Sequence, residues 1–384
     1  MKKTNVQLNA LLSAIKREVF KEEQPLNQAF TEKLQAEILV LAKKHDYLHL
    51  ISEFAVSGEK SEKFNSLIKK ERSLALFRYA QQTAAQEQVY EALEQAEISF
   101  IPLKGAVLRE YYSQPWVRTS SDLDVLIKEE DLLSAEQALL KVGYKKGEES
   151  SHDRSYFSES GVHVELHFSL QEERYRSSKA LLSAFSTAKP VEGSKHRLAM
   201  DDTLFAFYHV YHMAKHFMNG GCGIKPFVDL IIIENNMNVV VGKLRKWLEE
   251  DGLVTFFEQA RNLAYVWFLG GEKSLITEQM EDFVVSGGVY GKEEQKAALK
   301  QVKAGGKIRR ILSRTFIGYK EMCICFPSLR KCPILFPFYQ VARWFKLVFG
   351  KEKKRIKQTL KVNSSVSKDD RNSTKELIEK LGLN

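Results

Sequence analysis

Cysteine is scarce: the 384 residues contain four, Cys222, Cys323, Cys325 and Cys332. That excludes a disulfide scaffold and fits a reducing compartment, with the thiols buried and reduced. Three of them cluster without a fourth ligand nearby, so a four-thiolate zinc site is incomplete. Long apolar runs are also missing. None approaches the roughly 18 residues of a bilayer span, which excludes a transmembrane segment. The start, Met1-Lys2-Lys3, is basic, but Asn5, Gln7 and Asn9 interrupt the apolar core of a signal peptide. The expectation is a soluble, cytoplasmic protein. Glycine and proline are nearly absent from the first hundred residues, where Pro25 is the single proline. Punctuation of that kind leaves little room for anything but helices there.

What is present is globular in composition, 44% hydrophobic and 28% charged, which excludes a wholly disordered chain. The net charge of +9 is a mild pull toward an anionic partner. It is unevenly placed. From Lys296 to Lys357 there are 17 Lys and Arg against Glu321 and Glu352, so the whole basic excess sits in one segment.

The pattern divides the chain into five parts. Residues 1–96 read as three or four helices, the last from about Lys63 to Gln95. Residues 97–200 change to short apolar runs between helices. Strands are expected at Ile98–Leu103, Leu123–Ile127, Tyr156–Phe157 and Val162–Phe168, and helices at Ala106–Tyr112 and Glu130–Val142, the second ending at Gly143. Residues 201–290 return to helices (Asp201–Phe217, Pro226–Glu234, Val241–Glu250, Thr255–Leu269). Residues 291–361 form a basic, aromatic helical region. Residues 362–384 read as a mobile tail with a short helix at Thr374–Leu381. The fold class is α+β, mostly helical, with a small mixed sheet, flanking helices and helical N- and C-terminal regions.

The chemistry lies in the second part. In Arg118-Thr119-Ser120-Ser121-Asp122-Leu123-Asp124, strand periodicity puts Asp122 and Asp124 on one face, while Leu123, Val125 and Ile127 point into the core. Two carboxylates at that separation suit divalent ions placed for in-line phosphoryl displacement, and Mg²⁺ or Mn²⁺ takes hard oxygen ligands. In Val162–Phe168, His163, Glu165 and His167 alternate with Val164, Leu166 and Phe168; a sheet with a solvated polar face alternates in the same way. Glu165 supplies the third carboxylate that a two-metal site needs. Gly105 stands between a strand and a helix, where backbone N–H groups meet phosphate. Lys104 and Arg118 can add phosphate contacts, and Ser120 and Ser121 either bond phosphate or cap the turn.

Strand–Lys104-Gly105–helix, then Arg-x-x-x-Asp-x-Asp, then Glu165-Leu166-His167 resembles the polymerase-beta-like nucleotidyltransferase superfamily. Within it, the chain looks most like the bacterial uncharacterised nucleotidyltransferase family. The likeness covers about residues 98–235 and includes the histidine-rich run Tyr208–His216 and Lys225-Pro226-Phe227-Val228-Asp229. It implies that Asp122, Asp124 and Glu165 are catalytic metal ligands and that Gly105 belongs to the nucleotide-phosphate turn. The superfamily turn is usually Gly-Ser or Gly-Gly, whereas here it is Gly105-Ala106, without that hydroxyl. The spacing from Gly105 to Asp122 is also longer than common. The activity implied is metal-dependent transfer of NMP from an NTP, with ATP favoured for its abundance, to an acceptor with release of pyrophosphate. The acceptor is left open among a protein, an RNA end and a small molecule. The alternative is a catalytically silent nucleotide- or metal-binding module with a regulatory or scaffold role.

Three further features stay open on sequence alone. His209, His212 and His216 share a helical face, as a packed polar stripe, as part of the acceptor side together with His163, His167 and Asp229, or as zinc ligands. Lys225 and Asp229 are spaced as a helix ion pair; alternatively Lys225 holds the triphosphate. The aromatic, basic stretch 335–357 reads as a helix packed on the body, as a contact with an anionic membrane surface that would make the protein peripheral, or as a nucleic-acid grip.

Overall fold

A computed structural model of the chain describes residues 6–22, 31–51, 62–171, 178–306, 309, 315–349 and 353–383. The first five residues, and 350–352 of the basic segment, lie outside the described residues. The helices are α1 (Val6–Phe20), α2 (Glu32–Lys44) and α3 (Glu62–Gln95) before the sheet. Strands β1 (Phe100–Pro102) and β2 (Asp122–Ile127) flank the one-turn helix α4 (Gly105–Leu108), which runs into a 3-10 turn at Arg109–Tyr111 where a longer helix was expected. Then come α5 (Leu132–Lys141), β3 (Lys145–Glu149), β4 (Asp153–Phe157), β5 (His163–His167) and the short α6 (Ala184–Thr187).

The sheet is mixed, in the order β1-β2-β5-β4-β3. Strands β2 and β5 run parallel, with Asp122 opposite His163 and Asp124 opposite Glu165; the other pairs are antiparallel. Leu123, Val125 and Ile127 of β2, with Val164 and Leu166 of β5, form an apolar layer with Val89 and Leu93 of α3 and Leu139 of α5. Leu126, on the other face of β2, joins the large helical core. The edge strand β3 was absent from the sequence reading because Lys-Lys-Gly-Glu-Glu carries no apolar alternation and is largely exposed.

That helical core draws on α7 (Asp202–Met218), α8 (Lys225–Asn236), α9 (Val241–Glu250), α10 (Val254–Phe268) and α11 (Leu275–Gly287). Asp201 caps α7 by accepting the Leu204 N–H at 3.1 Å, and Pro226 sits in the first turn of α8, where its missing N–H costs nothing. Beyond α12 (Glu293–Lys303) lie α13 (Tyr319–Cys325), α14 (Phe336–Phe349), α15 (Lys353–Ser365) and α16 (Lys368–Lys380).

The expected mobile tail is instead ordered. A Ser367/Asp370 capping box starts α16, which packs on α12 and α11. Leu377, Ile378, Leu381 and Leu383 are buried in the main core, so the polar tail is anchored by four apolar side chains. Of the thiols, Cys222 and Cys323 are buried, and burial pushes Cys222 up to about 12; Cys332 is exposed, against the expectation that all were covered.

Candidate active site

The parallel register of β2 and β5 collects the three predicted carboxylates. Asp122, His163 and Glu165 form one group of potential ligands, and Asp124, Glu165 and His167 a second, with the ligand atoms in each lying within 4.8 Å of one another. The two aspartates differ sharply. Asp124 is buried, and its Oδ1 accepts from Lys104 Nζ at 2.7 Å and from His167 Nε2 at 2.8 Å. Burial alone would raise its pKa, but the Lys104 ammonium and His167 together hold it well below the carboxylate range. Asp122 has no such cation in contact. Burial, then the neighbouring charge of Asp124, raises it above the usual value. Crowded carboxylates in a desolvated place are a donor set that a divalent cation relieves, and both bonds to Asp124 land on Oδ1, leaving Oδ2 for an ion.

Lys104, expected as a phosphate contact, lines the large cavity with its ammonium tied to Asp124. Its backbone is strained, with φ 44° and ψ −115°, a region that a side chain rarely occupies away from functional sites. The bond from Leu103 N–H to Asp124 C=O (3.1 Å) locks this turn to β2. Gly105 follows, and a Cβ there would lie 2.7 Å from an Arg118 nitrogen and 2.8 Å from Ser120 Oγ, so the turn tolerates no side chain. Ser120 Oγ donates to the Asp122 backbone at 2.9 Å, while Gln82 donates to the Ser120 carbonyl at 2.7 Å. Ser121 is exposed beside them.

Arg118 and Asp229 also change roles. They form a buried bidentate pair, with Nε and Nη2 each 2.8 Å from a carboxylate oxygen, and Tyr112 Oη donates to the same group at 2.6 Å. Asp229, expected on the acceptor side, anchors Arg118, which reaches the cavity with part of its fork already engaged. The expected Lys225–Asp229 pair does not form. Lys225 Nζ instead contacts Asp46 Oδ2 at 2.7 Å, Thr119 Oγ1 at 2.9 Å and the Thr119 carbonyl at 2.8 Å.

Two cavities meet at Lys104 and Asp122. The larger, about 860 Å³, is lined by Gly105, Arg118, Ser120, Ser121 and Lys225. It is also lined by Lys43, Lys44, Arg78, Tyr290 and Lys292, which no local pattern announces because three separate parts of the chain bring them together: α2, α3 and the turn between α11 and α12. Its far wall, Gly287 and Val289–Lys292, is set by glycines packed backbone to backbone. A Cβ at Gly221 would lie 2.2 Å from Gly291 N, and one at Gly291 would lie 2.3 Å from the Gly220 carbonyl. Lys44 ties that wall down by donating to the carbonyls of Val285 and Ser286.

The smaller cavity, about 300 Å³, has Glu165, His167, Tyr208, His212, Lys215 and His216 among its lining residues, together with His152 and Asp153, which the sequence reading passed over. The three histidines of α7 do not converge. His212 and His216 meet with ring nitrogens 3.0 Å apart, whereas His209 turns to the Pro226 carbonyl at 2.9 Å. Burial lowers the pKa of His209 and drives that of His212 far down, which favours the neutral ring in both. His163 lies against Phe157 with ring centroids 4.8 Å apart and bonds Ser155 Oγ at 2.9 Å.

The model of a family described as "Uncharacterised nucleotidyltransferase" matches residues 32–269, which span α2 to α10 and include every predicted site residue. The comparison with curated proteins returns no match. Among solved structures, the chain is similar to the antibiotic-resistance factor ANT(2'')-Ia. The identity is 10% over 44% of this chain and 91% of that one, and the TM-score of 0.35 is too low for any argument from the superposition. With more than half of its length inside the family model, the chain belongs to the uncharacterised nucleotidyltransferase family.

Proposed function

We propose that the protein is a divalent-metal-dependent nucleotidyltransferase that moves NMP from an NTP, ATP being favoured for its abundance, to an acceptor hydroxyl or phosphate. The observation that carries this reading is the convergence of Asp122, Asp124 and Glu165 where a large cavity lined by cations meets the smaller one. Asp122, Asp124 Oδ2 and Glu165 are the groups that would hold Mg²⁺ or Mn²⁺. When bound, such ions polarise phosphoryl oxygens and offset the charge of the attacking and leaving oxygens.

The chain's own residues do the rest. Gly105 lets the triphosphate lie against backbone, with Ser120, Ser121 and Lys225 beside it. Lys104 and His167 fix the Asp124 carboxylate, and Arg118, braced by Asp229, adds positive charge near the turn. The acceptor enters from the small cavity. Its oxygen forms the new bond to the α-phosphorus, its proton passes to the Glu165 carboxylate, and the bond to pyrophosphate breaks.

One observation favours a second reading. Asp124 Oδ1 is already neutralised by Lys104 and His167 with no ion needed, as in a module that binds nucleotide without turning it over. The experiment incubates purified protein with Mg²⁺ or Mn²⁺, each α-³²P-labelled NTP and cell extract, with Asp122→Asn/Asp124→Asn alongside. Label transferred by the wild type alone carries the enzyme reading, and the labelled band gives the acceptor class. Nucleotide binding without pyrophosphate release selects the module.

A further inference from the structure

Helix α14 has two faces of different kinds. On the inner face, Phe336 and Tyr339 pack on the small core of Met322, Cys323 and Leu329. Gln340 donates to the Thr315 carbonyl, and Trp344 Nε1 donates to the same oxygen at 2.7 Å. These contacts fix the rotation of the helix about its axis. The outer face then presents Phe338 at 72%, Val341 at 45% and Phe345 at 63% exposure, and Ile334, in the 3-10 turn Pro333–Leu335 that leads into the helix, is 83% exposed. Steps of three and four place the three helical side chains in one stripe. Phe316, edge-on to Trp344 with centroids 5.2 Å apart, adds another exposed ring nearby. A stripe of large apolar groups facing water marks a contact surface.

The surrounding charge says what covers it. Arg330 and Lys331 are exposed just ahead of the stripe. Between Glu321 and Glu352 the sequence contains no carboxylate, and it continues through Lys346, Lys351, Lys353, Lys354, Arg355 and Lys357. A second copy of this chain would bring the same cations against these and repel. A nucleic acid would pair with the cations but leave Ile334 and Val341 in water. An anionic lipid surface satisfies both features, because acyl chains take the stripe while headgroups take the cations. No described helix is long and apolar enough to cross a membrane, so the geometry is that of a helix lying in the interface.

We propose that α14 is a peripheral membrane-docking element that seats the protein on an anionic lipid surface through Ile334, Phe338, Val341 and Phe345. This stands apart from the reading of the carboxylate site.

The test uses the full chain and vesicles of phosphatidylcholine, with or without about 30% phosphatidylserine. The wild type co-sediments with anionic vesicles at about 0.1 M salt, at least about tenfold more weakly with neutral ones, and loses most binding at about 0.5 M salt. Phe338→Ser/Phe345→Ser, at exposed positions, keeps the wild-type circular dichroism spectrum and thermal midpoint and weakens anionic binding at least about tenfold. Failure to sediment with anionic vesicles overturns the proposal. So does equal sedimentation of wild type and double variant, which would mean adsorption by charge alone. A dimer in solution that the same substitutions dissociate, or a labelled RNA whose affinity they lower while vesicle binding stays unchanged, assigns the face to another partner and likewise overturns it.

Discussion

The two cavities that meet at Asp122 are charged on different plans. The large one is rich in cations, and its inner ones are braced: Arg118 by Asp229, Lys225 by Asp46 and Thr119, Lys44 by two carbonyls, and Lys104 by Asp124. The small one mixes Lys215, Asp153 and Glu165 with His212, whose imidazole burial pushes toward the neutral form. Braced cations do not collapse onto each other's partners when a polyanion arrives, so they interact with it at little reorganisation cost. Neutral imidazoles do not compete for that polyanion. The contrast teaches that the carboxylates stand at a boundary between a chamber rich in braced cations and a smaller one of mixed charge.

The most severe way to break this boundary is to remove its carboxylates. Asp122→Asn lowers nucleotidyl transfer by about 10²- to 10³-fold or more with the fold intact, measured as pyrophosphate release. Asp124→Asn does the same and also destabilises, because Lys104 is left half-buried without its counter-ion. Equal thermal midpoints for the two variants would show that Lys104 does not depend on Asp124.

Removing a brace comes next. Asp229→Ala leaves the Arg118 guanidinium buried and unpaired, and costs about 3–5 kcal/mol of stability in a urea titration. A loss below about 1 kcal/mol would mean that Arg118 finds other partners.

Acid acts on the wall behind the large cavity. Burial lowers His45 and His49 to about 4, each beside a backbone carbonyl, that of Val285 and that of Val117. The unfolded chain binds protons on both as pH falls below about 6.5, while the folded one stays neutral until about 4. Their stabilising contribution is therefore present above pH 6.5 and lost between there and 4, up to ~3 kcal/mol for each. Urea midpoints at pH 7, 5 and 4 measure this, and His49→Gln flattens the slope. A midpoint that does not move over that range would show that these rings charge without penalty.

The mildest change sharpens the contrast. Lys225→Met raises the KM for NTP about tenfold and leaves kcat nearly unchanged, since it removes a charged contact on one side only. Should kcat fall instead, Lys225 acts on the reacting phosphate.

Much of the carboxylate site was legible because it is local. The i, i+2 spacing of Asp122 and Asp124 and the alternation through Glu165 and His167 are properties of single strands, and the parallel register brings the two strands together. What was misread is non-local. The spacing of Lys225 and Asp229 suggested a helix pair, yet Asp229 is better served by the planar fork of Arg118, 111 residues away. Asp46, Tyr290 and Lys292 reach the cavity from turns distant in sequence and leave no pattern there. The tail was misjudged from its mean polarity, which hides how few apolar side chains are needed to hold a helix when all of them point one way.

The glycine contact between residues 220–223 and 288–291 has a consequence for how this protein can be cut and how it can diverge. The family-matched stretch stops at residue 269, but the opposite wall of the large cavity, and the Leu381 and Leu383 plug of its supporting core, come later in the chain. A fragment ending at 269 would keep every carboxylate and lose the chamber they serve. Conversely, changes confined to the final third can reshape what the chamber admits while the reacting groups stay untouched, so that selectivity and chemistry are carried by separate stretches of one sequence.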